Sequence, residues 1–106
     1  MIQSTSPDQG TSLAAAARGN LDAMGLVFKA LSSPQRLRIL ILLRDGPRTE
    51  PELCAALDLG TIEAHLQTLL RAGLIVRHKH GVAPKNYTLA EGVTAQLTEL
   101  LEKFRA

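Results

Sequence analysis

The chain has no tryptophan, one tyrosine, two phenylalanines and one cysteine among its 106 residues. Each scarcity excludes something. With so few aromatics the core has to be built from leucine, isoleucine, valine and alanine, and a Leu- and Ala-rich chain poor in β-branched residues leans helical. A lone cysteine cannot form an intrachain disulfide, which fits a reducing compartment. Long apolar runs are also missing. The most strongly apolar run, Ile39 to Leu43, is far below the roughly 20 residues that span a bilayer. The Leu13 to Ala17 stretch lacks the basic start and apolar region of a secretory signal. A cytoplasmic protein with no membrane partner is expected. No strong charge of either sign is present: the formal net charge is +2 and the isoelectric point about 9.0. That balance suits a polyanion without requiring one. No nucleophile–base pair, paired carboxylates or phosphate-binding glycine loop occurs, so an enzyme is not expected.

The length allows one domain with one core. Residues 1–11, rich in Ser, Thr, Gln, Asp, Pro and Gly, have no apolar face and are expected to form a disordered tail, leaving 12–106 as the domain. A helical pattern then runs through Leu13, Ala16 and Ala17 and on to Leu21, Met24, Val27, Phe28 and Leu31, with a break expected at Gly19-Asn20. Ser33 and Pro34 mark a helix start, as N-cap and first helical residue. The helix that follows, Leu37 to Leu43, is apolar almost all round and reads as the central core helix. Arg36 and Arg38 sit near its start, Arg44 at its end, and Asp45-Gly46-Pro47 stops it. Thr49-Glu50-Pro51-Glu52 is a capping box with proline in the first turn.

From Leu53 to Gly73 the pattern is two helices around the turn Asp58-Leu59-Gly60. The second, Thr61 to Ala72, buries Ile62, Leu66, Leu69 and Leu70 as one stripe. Its other face carries Thr61, Ala64, His65, Thr68 and Arg71. Gly73 is positioned as a left-handed cap, with Leu74 behind it. Leu74 to His80 and Lys85 to Leu89 then read as two strands around a Gly81–Pro84 tip, a hairpin with basic flanks. A last helical stripe contains Val93, Leu97, Leu100, Leu101 and Phe104. The first and last helices carry more apolar surface than one small domain should use, which points to a subunit interface through Leu21, Met24, Phe28, Leu97, Leu100, Leu101 and Phe104.

The segments Phe28 to Leu40 (FKALSSPQRLRIL), Glu52-Leu53-Cys54, His65 to Leu69, Ala72 to Ile75 and Tyr87-Thr88-Leu89 resemble the ArsR/SmtB family of dimeric winged-helix repressors. The similarity covers roughly Asp22 to Phe104. It implies a mainly α fold with a small β-hairpin: a winged helix–turn–helix, dimeric through its terminal helices. It also implies a DNA-binding transcriptional regulator, a repressor acting as a homodimer on a palindromic operator. Thr61, Ala64, His65, Thr68 and Arg71 would face the major groove of double-stranded DNA, and Arg77, Lys79 and Lys85 would grip phosphates. In the family an inducer usually releases the DNA. The recognition helix departs from the family pattern: it is about two residues short before His65, roughly 3 Å of helix. Ala64 stands where arginine is common, and Glu63 adds a negative charge. These departures favour the alternative, a module that has lost base reading and binds a protein partner.

No cofactor is expected. Family metal sensors often carry Cys-x-Cys on the first helix of the motif; here Cys54 is followed by Ala56 at the second position, and Glu91 to Ala106 contains neither Asp nor His. Cys54, His78 and His80 remain only weak candidates as ligands, because one thiolate or two imidazoles make an incomplete site. Titration with Zn(II), Ni(II) or As(III) against an equimolar chelator should therefore show no stoichiometric site. Binding that survives the chelator and ignores Cys54→Ala would reveal a ligand set built on His78 and His80.

Overall fold

Local signals place most of the helix boundaries. A computed structural model describes residues 9–60 and 62–104 of the chain. Among the described residues six helices run in the order α1 (Gln9–Ala17), α2 (Leu21–Leu31), α3 (Pro34–Arg44), α4 (Glu50–Leu57), α5 (Glu63–Ala72) and α6 (Val93–Glu102). Three strands accompany them: β1 (Arg48–Thr49), β2 (Ile75–His78) and β3 (Asn86–Leu89). The break between α1 and α2 falls at Gly19-Asn20, where Gly19 has φ +102° and the Asn20 side chain accepts from Ala23 N–H at 2.9 Å. Ser33 caps α3 by accepting from Arg36 N–H at 3.3 Å. The capping box closes both ways on α4: Glu52 N–H donates to Thr49 Oγ1 at 3.3 Å, and Thr49 N–H donates to Glu52 Oε1 at 2.8 Å.

Two boundaries differ from the sequence expectation. Helix α1 begins at Gln9, inside the segment expected to be a tail; once Leu13 anchors a turn, adding residues to it is far cheaper than nucleating one. The rest of that segment, residues 1–8, lies outside the described residues. The turn of the helix–turn–helix opens at Asp58 as expected, with Asp58 left-handed at φ 56°, a conformation that Asp tolerates better than most side chains. Helix α5 starts at Glu63 with Ile62 as its N-cap and no side-chain cap, later than the expected Thr61. At its other end Gly73, at φ 79°, closes the helix as expected: Gly73 N–H bonds Leu70 C=O at 3.0 Å and Leu74 N–H bonds Leu69 C=O at 3.1 Å. That is the paired bonding of a glycine cap, with Leu74 fully buried behind it.

The sheet has one strand more than the expected hairpin. Strand β3 lies between β1 and β2, antiparallel to both, so Tyr87 is opposite Arg77 on one side and Arg48 on the other. A two-residue strand leaves no periodic signal in a sequence, and only the pairing defines it.

Packing corrects the expected roles of the helices. Helix α3 is not the central core helix: Ile39 and Leu43 are buried, but Leu37 and Ile41 are exposed. Its apolar residues go round the helix, whereas its packing neighbours do not. The centre is made by α5 against α1 and α2, with Leu13, Ala16, Val27, Ala30, Leu66 and Leu69 buried together. Helix α1 also packs on α6, and this accounts for part of the apolar surplus. Met24 and Leu100, expected at a subunit interface, are buried in the protomer's own core, because each lies on the side of its helix that faces the bundle.

Two nearby isoleucine positions on α3 test its one-sidedness. Ile39 is fully buried and Ile41 is 55% exposed. Ile39→Ala should cost about 2–5 kcal/mol in denaturant unfolding, and Ile41→Ala less than about 1 kcal/mol. Equal losses would return α3 to the centre of the core.

Candidate nucleic-acid interface

Helix α5 has to satisfy two environments. Ile62, Leu66, Leu69 and Leu70 are buried along one stripe, so residues about half a turn away from it must face solvent. Those exposed are Glu63, Ala64, Gln67 and Arg71. Of the side chains expected on this face, Ala64 and Arg71 are there. Thr68 is half-buried, and its hydroxyl donates to Ala64 C=O at 3.1 Å. His65 is half-buried on one flank, with Nδ1 at 3.2 Å from Arg36 Nη1. Thr61 lies outside the described residues.

Gln67 belongs to this face and is absent from the residues expected there. A signal for it exists: Glu63, Gln67 and Arg71 recur every four residues, and polar side chains at that spacing share one side of a helix. Glutamine matters on such a surface because its amide can both donate and accept, the pattern that matches an adenine edge in the major groove.

The hairpin supplies the positive charge. Arg77, Lys79 and Lys85 are all exposed. Strand β2 ends at His78, so Lys79 and His80 belong to the connecting loop rather than to the strand. Arg77 faces Tyr87 across the strand pair. The Tyr87 phenol is buried. Burial pushes its pKa above the ordinary tyrosine value, and the Glu50 carboxylate pushes the same way; the hydrogen bond and charge of Arg77 oppose them. Tyr87 thus braces the hairpin's first basic side chain against the sheet, a role invisible without the strand register.

The weak metal candidates do not converge. His78 Nε2 lies 2.8 Å from Thr88 Oγ1, and the rings of His78 and His80 are parallel with centroids 6.4 Å apart. Cys54 is half-buried against the core and lines a groove of about 310 Å³ with Glu50, Pro51, Pro84 and Lys85. Among the described residues no group of three His, Cys, Asp or Glu side chains could hold a metal ion.

Elsewhere on the surface large apolar side chains remain uncovered: Leu21 is 79%, Leu101 59% and Phe104 63% exposed. The Phe28 and Phe104 rings meet edge-to-face at 5.7 Å and 63°, which joins the second helix to the residues after the last one. Leu97 is half-buried against the core. No helix among the described residues is long and apolar enough to cross a membrane.

Comparison with known proteins gives the same architecture. A family model described as a helix-turn-helix domain matches residues 31–78. The structure is similar to the homodimeric winged helix-turn-helix DNA-binding domain of Mb0332 from Mycobacterium bovis, described as a possible ArsR-family transcriptional regulator. The identity is 32%, over 79% of this chain and 79% of that one, with a TM-score of 0.66. It is similar to HlyU from Vibrio cholerae at 31% identity, over 82% of this chain and 96% of that one, with a TM-score of 0.63. The transcriptional repressor BigR from Xylella fastidiosa shares the fold, at 24% identity over 81% and 89% of the two chains and a TM-score of 0.61. A search of curated proteins gives no match.

The tyrosine brace is testable by titration. The chain has one tyrosine and no tryptophan, so near-ultraviolet phenolate absorbance reports Tyr87 alone. Its midpoint in the native protein should lie above the ordinary value of about 10 and return to it in denaturant. Above about pH 10 the unfolded phenol loses its proton first, so native stability should fall as pH rises from there, and Tyr87→Phe should remove that part of the loss. A native midpoint at or below the denatured one would show that the phenol is not held by burial.

Proposed function

We propose a function from one premise: the chain belongs to the ArsR family of winged helix–turn–helix transcriptional regulators. It acts in the cytoplasm as a homodimeric DNA-binding regulator, a repressor whose two recognition helices enter successive major grooves of a palindromic operator. The observation that carries this reading is the split surface of α5 and the hairpin. One stripe of α5 is buried, its opposite side presents Ala64, Gln67 and Arg71, and the hairpin exposes Arg77, Lys79 and Lys85.

The division of labour follows from the chemistry. Lysine and arginine side chains neutralise phosphates and release counterions, which gives affinity without sequence information. Base edges have to be read by α5. Its late start and small Ala64 leave Gln67 as the side chain suited to a two-bond contact, with Thr61 and Thr68 secondary. Specificity over random DNA is therefore modest for a regulator of this kind, and the electrostatic share of binding is large. The dimer forms through Leu21, Phe28, Leu101 and Phe104, which are uncovered in the protomer; Leu97 lies at its edge. Twofold symmetry then doubles the basic wings and sets the half-site spacing at about one helical turn.

Fluorescence anisotropy against selected and scrambled duplexes over a range of salt tests this. Charge reversal at Arg77 and Lys79 should weaken binding to every duplex and flatten the salt dependence by about one unit of slope for each phosphate no longer neutralised. Gln67→Ala should act only on the selected duplex, by about 1–3 kcal/mol if the amide makes two bonds to a base. Leu101→Glu with Phe104→Glu should leave a folded monomer in light scattering, with weakened operator binding. Wild type that is monomeric at tens of micromolar, or that binds no duplex at low salt, would favour instead a module that docks on a protein partner.

A further inference from the structure

We infer that Arg36 is a positioning residue for DNA reading: it fixes the rotation of recognition helix α5, through His65, against the end of helix α2. This inference rests on the function proposed above. Arg36 belongs to the first turn of α3 and reaches both ways. Its Nε donates to Ala30 C=O at 2.9 Å, and its Nη2 donates to Lys29 C=O at 2.9 Å. Both carbonyls belong to the last turn of α2, where a helix runs out of its own donors; Lys29 C=O also accepts from Ser32 N–H at 3.2 Å and Ser32 Oγ at 2.8 Å. Its remaining branch, Nη1, lies 3.2 Å from His65 Nδ1 on α5. One planar group therefore joins three helices at a single point.

The chemistry of the contact defines its state. A guanidinium has only donors, so His65 Nδ1 has to accept, and the proton of the neutral ring is on Nε2. The geometry explains why arginine is needed there. A lysine ammonium could replace one of the three bonds but not the fork that spans two carbonyls and an imidazole. Apolar packing between α2 and α5 is non-directional and lets a helix roll by some degrees. His65 sits on the flank of α5, where a hydrogen bond resists such a roll. Phe28, beside Lys29 on α2, is at the proposed dimer surface, whereas Gln67 on α5 is at the proposed reading surface. Arg36 thus connects the part of the protomer that meets its partner with the part that meets bases. Base contacts tolerate little misplacement, whereas flexible basic side chains on the hairpin follow phosphates over a wider range.

The test compares wild type, His65→Ala, His65→Asn, Arg36→Ala and the double alanine variant. His65→Ala leaves both α2 carbonyl bonds in place, so it isolates the link. It should lower affinity for a selected duplex about tenfold and affinity for a scrambled duplex by less than about threefold. His65→Asn places an amide oxygen near the position of Nδ1 and should restore the preference. Arg36→Ala should lose the preference too, and the double variant should be no worse than the single ones. A readout free of DNA is the imidazole nitrogen spectrum: Nδ1 of His65 should show an unprotonated, hydrogen-bonded acceptor in wild type and lose that signature in Arg36→Ala. Additive losses, or failure of His65→Asn to rescue, would mean that His65 touches DNA itself. An unchanged preference in His65→Ala, with wild type binding selectively, overturns the inference alone. Wild type that binds no duplex overturns it together with the proposed function.

Discussion

The seating of α5 is the constraint on which the remaining architecture depends. Ile62, Leu66, Leu69 and Leu70 form an apolar stripe that runs along a ten-residue helix, and so short a helix has little stability of its own in water. It exists because α1 and α2 take up that stripe. The stripe also fixes which side chains are left outside. Shifting it by one residue would turn the helix by about 100° and bury Gln67 or Arg71. The glycine cap at Gly73 then delivers the chain into β2 with Leu74 buried, so the hairpin and its basic side chains are placed relative to α5 by the same burial.

Polar contacts refine what the apolar core sets coarsely. Arg36 on one side of α5 and Tyr87 in the sheet each tie a surface side chain to buried structure: His65 in the first case, Arg77 in the second. Neither contact could hold the fold together by itself. Each contributes direction, which burial lacks. The uncovered apolar side chains are a different case. Leu21, Leu101 and Phe104 stand in solvent apart from the Phe28–Phe104 ring contact, an arrangement suited to a second copy and costly for an isolated monomer.

Local chemistry was legible residue by residue. The capping box at Thr49 and Glu52, the Ser33–Pro34 start, the Gly19-Asn20 break and the Gly73 cap each rest on a side chain or backbone freedom that acts within a few residues. The buried stripe of α5 followed from its period. The composition had also set the main outline, a helical protein with an aliphatic core, and the motif order had placed the hairpin after the helix–turn–helix.

What remained hidden were the outcomes of competition for neighbours. Leu37 and Ile41 look as core-like as Ile39, yet of the three only Ile39 is buried; Met24 and Leu100 look as free as Leu101, yet both are buried. Apolarity says that a side chain gains from burial, not which of several apolar side chains will find cover. The site was split in the same way. The exposure of Arg71, Arg77, Lys79 and Lys85 was legible because charge and periodicity belong to single elements. The Arg36–His65 link, the Tyr87 brace and strand β1 were not, because each joins segments distant in the chain. By itself the sequence determined the helices and the hairpin, most of their caps and the sign of the surface charge, all products of short-range chemistry. Only the tertiary structure decided which apolar faces are core and which polar groups meet, because those depend on distances that no single segment contains.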